Sequence, residues 1–138
     1  YIDYPANHWY QQGTLNANPE NVYFNIMING DSTLSPTNEA NSLFKLEFYE
    51  DENLDGYYDP NTEDRLEVEF DVDWNGWKMV SYKYSDLILA WNSGGNAIRE
   101  PNKIIKFRTL LLANPESGFA KADVDYIVWS EGSSILNQ

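Results

Sequence analysis

The feature that most constrains this chain is a period-two alternation of apolar and acidic residues over 66–72, which reads LEVEFDV. Successive residues of a β-strand point to opposite faces, so this alternation predicts a strand with one buried and one solvated face. No segment sustains a helical period, and loops rich in Gly, Asn, Pro and Asp separate the strand candidates. Further strand patterns cover 22–28, 44–48, 77–84, 104–112 and 122–129.

This pattern predicts an all-β fold, namely an antiparallel two-sheet β-sandwich of the jelly-roll type. The chain has 138 residues, the size of one domain, so we expect a single domain over 1–138. Residues 1–21 lack a clean period and predict an irregular N-terminal arm with room for a short edge strand, and residues 31–42 predict a polar loop. The predicted core includes Leu66, Val68, Phe70, Val72, Phe107 and Val124.

The charge of the chain excludes several partners. There are 22 Asp and Glu against 9 Lys and Arg, for a net charge of −13. Nucleic acids and anionic membrane surfaces both require clustered cations, so we expect neither as a partner. No apolar run approaches the roughly 20 residues of a membrane span, and no signal-peptide pattern opens the chain, so we expect a mature or excised domain. The absence of Cys excludes disulfides and thiolate metal sites.

An acidic loop at residues 51–59, DENLDGYYD, has oxygen-bearing side chains at alternate positions before a glycine. Calcium takes about six to eight oxygen ligands, and alternate side chains on a tight turn converge on one point. The twelfth position of a standard calcium loop is a bidentate Glu, but here it is Thr62, which two acids follow. The predicted ligands are Asp51, Asn53, Asp55, the Tyr57 carbonyl and Asp59, with Glu63 or Asp64 completing the site.

The alternative interpretation of this loop is a solvated turn with Asp-Gly chemistry. Between Glu47 and Asp73, however, there are twelve acids and one base, Arg65. Close carboxylates repel one another, and a divalent cation would relieve that repulsion. The charge density therefore favours calcium as a cofactor.

A longer pattern starts with WNGWKMVSYKYSDL at 74–87 and continues through PNKIIKFRTLLL at 101–112 to ADVDYIVW at 122–129. This order resembles the galactose-binding-domain-like jelly rolls, the fold of many carbohydrate-binding modules. The resemblance implies a monomeric domain of a larger, secreted or cell-surface bacterial protein, often with a structural calcium, and a buried ring at Trp77. The matching residues are Gly76, Trp77, Val80, Ser85, Asp86, Leu87, Lys103, Ile104, Val124, Asp125 and Ile127.

Several loop residues have the chemistry that binds sugars. Sugar C–H faces stack on Trp and Tyr rings, while sugar hydroxyls pair with amides and charged groups. We expect a neutral oligosaccharide or polysaccharide, because the negative charge of the chain repels acidic ones. Packing inside the fold is the alternative for each ring, including Trp9 in the arm. The predicted saccharide-binding residues are Trp91, Trp74, Tyr58, Asn75 and Asn92.

Two cations, Lys106 and Arg108, alternate along one predicted strand. They face a sugar, or they neutralise the acidic residues of 67–71 on a neighbouring strand. The second arrangement needs no ligand and is the simpler prediction.

Three functions are compatible with these patterns. The favoured one is a non-catalytic carbohydrate-binding module with a structural calcium site, and the alternative is a structural or protein-interaction domain of a larger bacterial surface protein. A hydrolase would need two placed carboxylates, and no feature of the sequence marks such a pair. A Ser-His-Asp triad would depend on His8, the single His of the chain, which lies in the irregular arm. We therefore do not expect an enzyme.

Overall fold

The computed structural model describes residues 1–6, 8, 10–31, 42–112 and 120–137. Within these ranges there are eight β-strands, four short 3₁₀ helices and no α-helix. The strands are β1 (Ile2–Pro5), β2 (Val22–Gly30), β3 (Ser42–Glu50), β4 (Arg65–Val72), β5 (Gly76–Lys83), β6 (Ile88–Leu89), β7 (Ile104–Leu112) and β8 (Asp123–Glu131). The 3₁₀ helices are Pro19–Asn21, Tyr84–Asp86, Pro101–Lys103 and Ile135–Asn137. None of these helices is long and apolar enough to cross a membrane.

The strands form two antiparallel sheets that pack together as a β-sandwich. One sheet has five strands in the order β1-β7-β3-β4-β6, and the other has three in the order β5-β2-β8. The predicted all-β, two-sheet fold is confirmed. The predicted arm contributes β1, which pairs with β7 at the edge of the five-stranded sheet. The predicted loop over 31–42 lies outside the described residues except at its two ends, and Trp9 lies outside them as well.

The core lies between the sheets and is made of alternate residues of the strands. Phe24 of β2 is at its centre and meets Phe48, Phe107 and Trp129 edge-on, with ring centroids 5.1, 5.2 and 4.9 Å away. Aromatic pairs favour this edge-to-face arrangement. Of the predicted core, Leu66, Val72 and Phe107 are buried, while Val68, Phe70 and Val124 are partly buried and pack against the cluster.

A buried amide, that of Asn25, ties the three-stranded sheet together. Its Nδ2 donates to the Val128 carbonyl and to Ser130 Oγ, both at 2.9 Å. Its Oδ1 accepts from Ser81 Oγ at 2.6 Å and from the backbone N–H of Ile135 at 3.1 Å. Asn25 is fully buried, and these bonds satisfy both ends of its amide group.

A β-bulge interrupts the pairing of β2 with β8. Asn25 pairs with Val128 and Met27 with Asp125, so β8 has one extra residue in this stretch. Tyr126 lies in that stretch with a φ of 51°, in the left-handed region that residues other than glycine rarely adopt. The Tyr126 ring is 57% exposed. The bulge thus presents a large ring at the surface.

The acidic face of β4 is partly neutralised from within the β3–β4 pair. Lys45 Nζ lies 3.1 Å from a Glu67 carboxylate oxygen, and Arg65 Nε lies 3.1 Å from Glu47. These side chains are mostly buried, so the ion pairs lie in a lower dielectric than fully exposed ones.

The prediction that Lys106 and Arg108 neutralise this acidic face is wrong. Both side chains bond to Asp3 of β1, with Lys106 Nζ at 3.5 Å and Arg108 Nε at 2.6 Å. The reason is topological: β3 lies between β7 and β4, while β1 is the other neighbour of β7.

Candidate metal centre

The register of β3 with β4 brings acidic residues together where the two strands end. Tyr49 is the partner of Arg65, and the backbone N–H of Glu50 donates to the Asp64 carbonyl at 3.0 Å. Continuing this register places Glu50 opposite Asp64 and Asp51 opposite Glu63. Because successive residues of extended chain point to opposite sides, these four carboxylates are sorted into two groups.

The first cluster consists of Asp51, Asp55 and Glu63. Each offers one carboxylate oxygen, and these oxygens lie within 4.8 Å of one another. Asp51 is 0% exposed and Glu63 is 1% exposed, whereas Asp55 is at the surface. These residues could hold a metal ion, with two ligands from the interior and one from the solvent side.

Backbone N–H groups wrap the acidic loop around the first cluster. The N–H groups of Asp55 and Gly56 donate to the Asp51 carboxylate at 3.0 and 2.9 Å. Gly56 has a φ of 88°, which glycine adopts without strain. The Glu63 carboxylate accepts from the N–H of Asp59 at 2.8 Å. Both ends of the loop are therefore fixed to a buried carboxylate.

The other predicted ligands have different positions. Asn53 belongs to the same turn, and its Oδ1 accepts from the Asp55 N–H at 2.9 Å. Asp59 is not brought into the cluster: its carboxylate accepts from the Asn61 N–H at 2.9 Å, and this bond lowers the pKa of Asp59. Tyr57 is 77% exposed on the same loop.

The second cluster consists of Glu50, Glu52 and Asp64, and one oxygen of each lies within 4.8 Å of the others. Asp64 is the alternative to Glu63 in the predicted calcium site, and the structure places it in this second cluster instead. Glu50 and Glu52 were not predicted as ligands, because they precede and interrupt the loop motif. Only the cross-strand register, which places Glu50 opposite Asp64, could have identified them.

Backbone donors of the loop after β6 close over the second cluster. The N–H groups of Gly95 and Ala97 donate to the Asp64 carboxylate at 3.0 and 2.6 Å. The N–H of Asn96 donates to both oxygens of Glu52 at 3.2 Å. This loop is therefore fixed to the carboxylates at the end of the β3–β4 pair.

Burial raises the pKa of two of the carboxylates in the second cluster. Removal from water raises the pKa of Glu50 to about 7, although the Glu100 N–H and the Tyr84 hydroxyl donate to its Oε1 at 2.6 and 2.8 Å. Burial also raises the pKa of Glu52, and the neighbouring Asp64 raises it further. Among the described residues, nothing bonds to Glu50 Oε2, which is buried.

Three of the predicted saccharide-binding residues lie at this end of the sandwich. Trp91 is 92% exposed on the loop that closes over the second cluster. The neighbouring Asn92 is exposed, and its Oδ1 accepts from Arg65 Nη2 at 3.4 Å. Tyr58 lies on the acidic loop and packs edge-on against Tyr49, with ring centroids 4.8 Å apart.

The other two predicted binders, Trp74 and Asn75, are at the opposite end. They follow the last residue of β4, whereas Asn92 contacts Arg65, the first. The length of β4 separates the two groups by about 23 Å, at roughly 3.3 Å per residue. Trp74 is half-buried, and its Nε1 donates to the Ile28 carbonyl at 3.1 Å. The structure does not bring these two residues to the surface that carries Trp91.

Trp77 is 52% exposed, so the expectation of a buried ring at this position is wrong. The pairing of β5 with β2 explains the difference. Buried Ile26 pairs with Val80 and buried Ile28 pairs with Lys78, so alternation directs Trp77 to the outer face of the three-stranded sheet. A shallow surface pocket of about 370 Å³ on that face is lined by Met27, Trp77, Met79, Asp125 and Tyr126.

Comparisons with known proteins found no relative of this chain. No protein-family model matches the chain, and searches of curated proteins and of solved structures found no match. The resemblance to galactose-binding-domain-like jelly rolls stays a prediction, and the residues described above are the basis for assigning a function.

Proposed function

We propose that this protein is a non-catalytic carbohydrate-binding module, with calcium at the first cluster holding the binding loops in place. The observation that carries the proposal is the Trp91 ring, which is 92% exposed. Trp is highly buried on average, and it is enriched where proteins recognise ligands. An exposed Trp on a fixed loop at the end of a rigid sandwich is typical of a recognition surface.

Calcium is the cation that best suits the first cluster. All of its candidate side-chain ligands donate oxygen, which hard cations prefer. Mg²⁺ demands a near-ideal octahedron, whereas Ca²⁺ accepts irregular sets of protein oxygens such as a loop provides. None of the ion pairs formed among the described residues includes Asp51, Asp55 or Glu63. A bound cation would supply the missing positive charge.

The metal loop and the Trp91 loop are joined by hydrogen bonds. The Gly94 N–H donates to the Glu63 carbonyl at 3.3 Å, and the Arg65 N–H donates to Ser93 Oγ at 2.9 Å. Calcium at the first cluster would order Glu63 and, through these bonds, the loop that presents Trp91. The Trp91 ring then stacks on a sugar face, while Asn92 bonds to hydroxyls.

The saccharide proposal is tested by titrating a panel of neutral oligosaccharides with calcium present. Trp91→Ala should weaken binding at least tenfold with little change in melting temperature, because the ring has almost no contacts to lose. Trp77→Ala is the matched control, since it removes an exposed Trp from the outer face of the sheet. Loss of binding in Trp77→Ala alone would contradict the assignment of Trp91. A native protein that binds no member of the panel would favour the structural-domain alternative.

The calcium proposal is tested by calorimetric titration after treatment with a chelator. Calcium at 100 times its Kd should stabilise the fold by about 2.7 kcal/mol through mass action. Asp55→Asn, at an exposed ligand, should weaken this binding, whereas Asp73→Asn removes an exposed charge outside both clusters and should not. If calcium gives no binding heat and no shift in melting temperature, the first cluster is not a calcium site.

A further inference from the structure

We infer that the second cluster, Glu50, Glu52 and Asp64, is a second calcium site, so that the end of the β3–β4 pair holds two ions. The inference extends the proposed calcium function of the first cluster to a separate set of ligands. It assigns a role to Glu50, a buried carboxylate that the loop motif does not use, and to Asp64, which the structure groups with it.

The side chains at the ends of β3 and β4 alternate between the two clusters. Glu50 and Asp51 are consecutive, as are Glu63 and Asp64, and each pair divides its carboxylates between the two clusters. Each cluster thus contains two buried acids, one from the end of β3 and one from the segment before β4, and one less buried acid from the loop. Carboxylates directly opposite one another repel, so this arrangement is unfavourable unless a positive charge lies between them.

Glu50 has one carboxylate oxygen without a hydrogen-bond partner among the described residues. The residue is 0% exposed, and its Oε1 accepts two hydrogen bonds, while Oε2 is buried with no partner in the described part of the chain. A buried acceptor without a donor costs roughly 1–3 kcal/mol. This oxygen belongs to the carboxylate that is grouped with Glu52 and Asp64, so an ion at the cluster would satisfy it.

Among the described residues, no cationic side chain neutralises the second cluster. Lys103 lies close by, but its Nζ bonds to Glu100 Oε1 at 2.9 Å and to the backbone carbonyl of Glu52 at 3.2 Å. No ion pair within the described ranges includes the carboxylates of Glu50, Glu52 or Asp64. The backbone N–H groups that reach the cluster are dipoles and leave its net charge unchanged. A divalent cation would balance most of that charge, and protonation of one carboxylate is the competing outcome.

The test is the stoichiometry of calcium binding to the chelator-treated protein, measured by calorimetry near neutral pH. We expect two equivalents for the native chain and for Glu69→Gln, a control at an exposed acid outside both clusters. We expect one equivalent for Glu52→Gln, which replaces the least buried ligand of the second cluster, and one for Asp55→Asn.

The pattern of results distinguishes a failure of this inference from a failure of the proposed function. If the native protein binds one equivalent, lost in Asp55→Asn and kept in Glu52→Gln, the second cluster holds a proton and the inference is overturned while the first site stands. If it binds none, both are overturned. Two equivalents that persist in Glu52→Gln would place the second ion elsewhere and also overturn the inference. Should Glu52→Gln fail to fold, anomalous diffraction from calcium-grown crystals decides: a peak between Glu50 and Asp64 supports the site, and its absence overturns it.

Discussion

Replacing Gly95 by Ala tests whether the loop after β6 must approach the second cluster as closely as described. A Cβ at this position would lie 2.7 Å from the backbone N of Asp64 and would overlap the Glu52 carboxylate. The backbone of Asp64 is held in place by the Glu50 N–H, which donates to the Asp64 carbonyl at 3.0 Å, so the Asp64 N cannot easily move away. The loop would have to move away instead.

The magnitude follows from the contacts that this movement breaks. Overpacking costs about 1–3 kcal/mol, and a hydrogen bond to a charged group contributes about 1.5–3 kcal/mol. We count only the bond that the substituted residue itself makes to the buried Asp64 carboxylate, and we leave out the bonds to Glu52 because that residue is partly exposed. The expected loss of unfolding free energy is roughly 2.5–6 kcal/mol, or about 9–21 °C in melting temperature for a chain of this length.

The assay is urea unfolding of Gly95→Ala beside Gly13→Ala. Gly13 has a φ of 88°, and no atom of the described residues lies within 4 Å of a Cβ added there, so the control measures backbone strain without crowding. That strain should cost roughly 1–2 kcal/mol. The reasoning is refuted if Gly95→Ala is as stable as the native chain, or loses no more than Gly13→Ala.

Three further predictions follow from contacts outside the metal clusters. Asn25→Ala removes the four hydrogen bonds of 3.1 Å or shorter that the Asn25 amide makes and should lower the free energy of unfolding by about 3–4 kcal/mol, at roughly 1 kcal/mol each; a loss below 1 kcal/mol in urea would contradict this. Trp74→Phe removes the N–H that bonds to the Ile28 carbonyl and should cost about 1 kcal/mol in the same assay without changing saccharide affinity. The Arg108 hydrogen bond lowers the pKa of Asp3, so this pair stabilises the fold above the ordinary pKa of 3.8 and is lost as pH falls through the lowered value. Asp3→Asn should therefore cost up to about 1 kcal/mol at pH 7 in thermal melts, and this cost should shrink as the pH falls below 3.8; a cost that does not change with pH would refute it.

The strands could be predicted because their signal is local. The alternation over 66–72 contains all the information needed to place β4 and its buried face. Which strands become neighbours depends on contacts far apart in sequence, and no local pattern encodes them. The sequence therefore pairs Lys106 of β7 with the acidic residues of β4, although β3 lies between β7 and β4.

The same distinction holds for the metal clusters and the rings. The spacing within one loop predicts Asp51 and Asp55 as metal ligands. Glu63 is predicted as well because the loop can be one residue longer than the standard motif. Glu50 becomes a candidate only once the pairing of β3 with β4 is known. Alternation alone does not determine which face of β5 is buried, because Trp77 and Val80 lie on opposite faces and both are apolar. The register with β2 places Val80 on the inner face and Trp77 on the outer face.

The bulge at Tyr126 bears on how this protein behaves when it is concentrated. In the described part of the chain, β8 pairs on one side only, and such a strand is a template on which another copy can add its own strand. A residue with left-handed φ breaks the regular spacing of N–H and C=O groups that an incoming strand would need. The nine-residue strand is thereby divided into shorter stretches, which disfavours fibril growth from this side of the molecule.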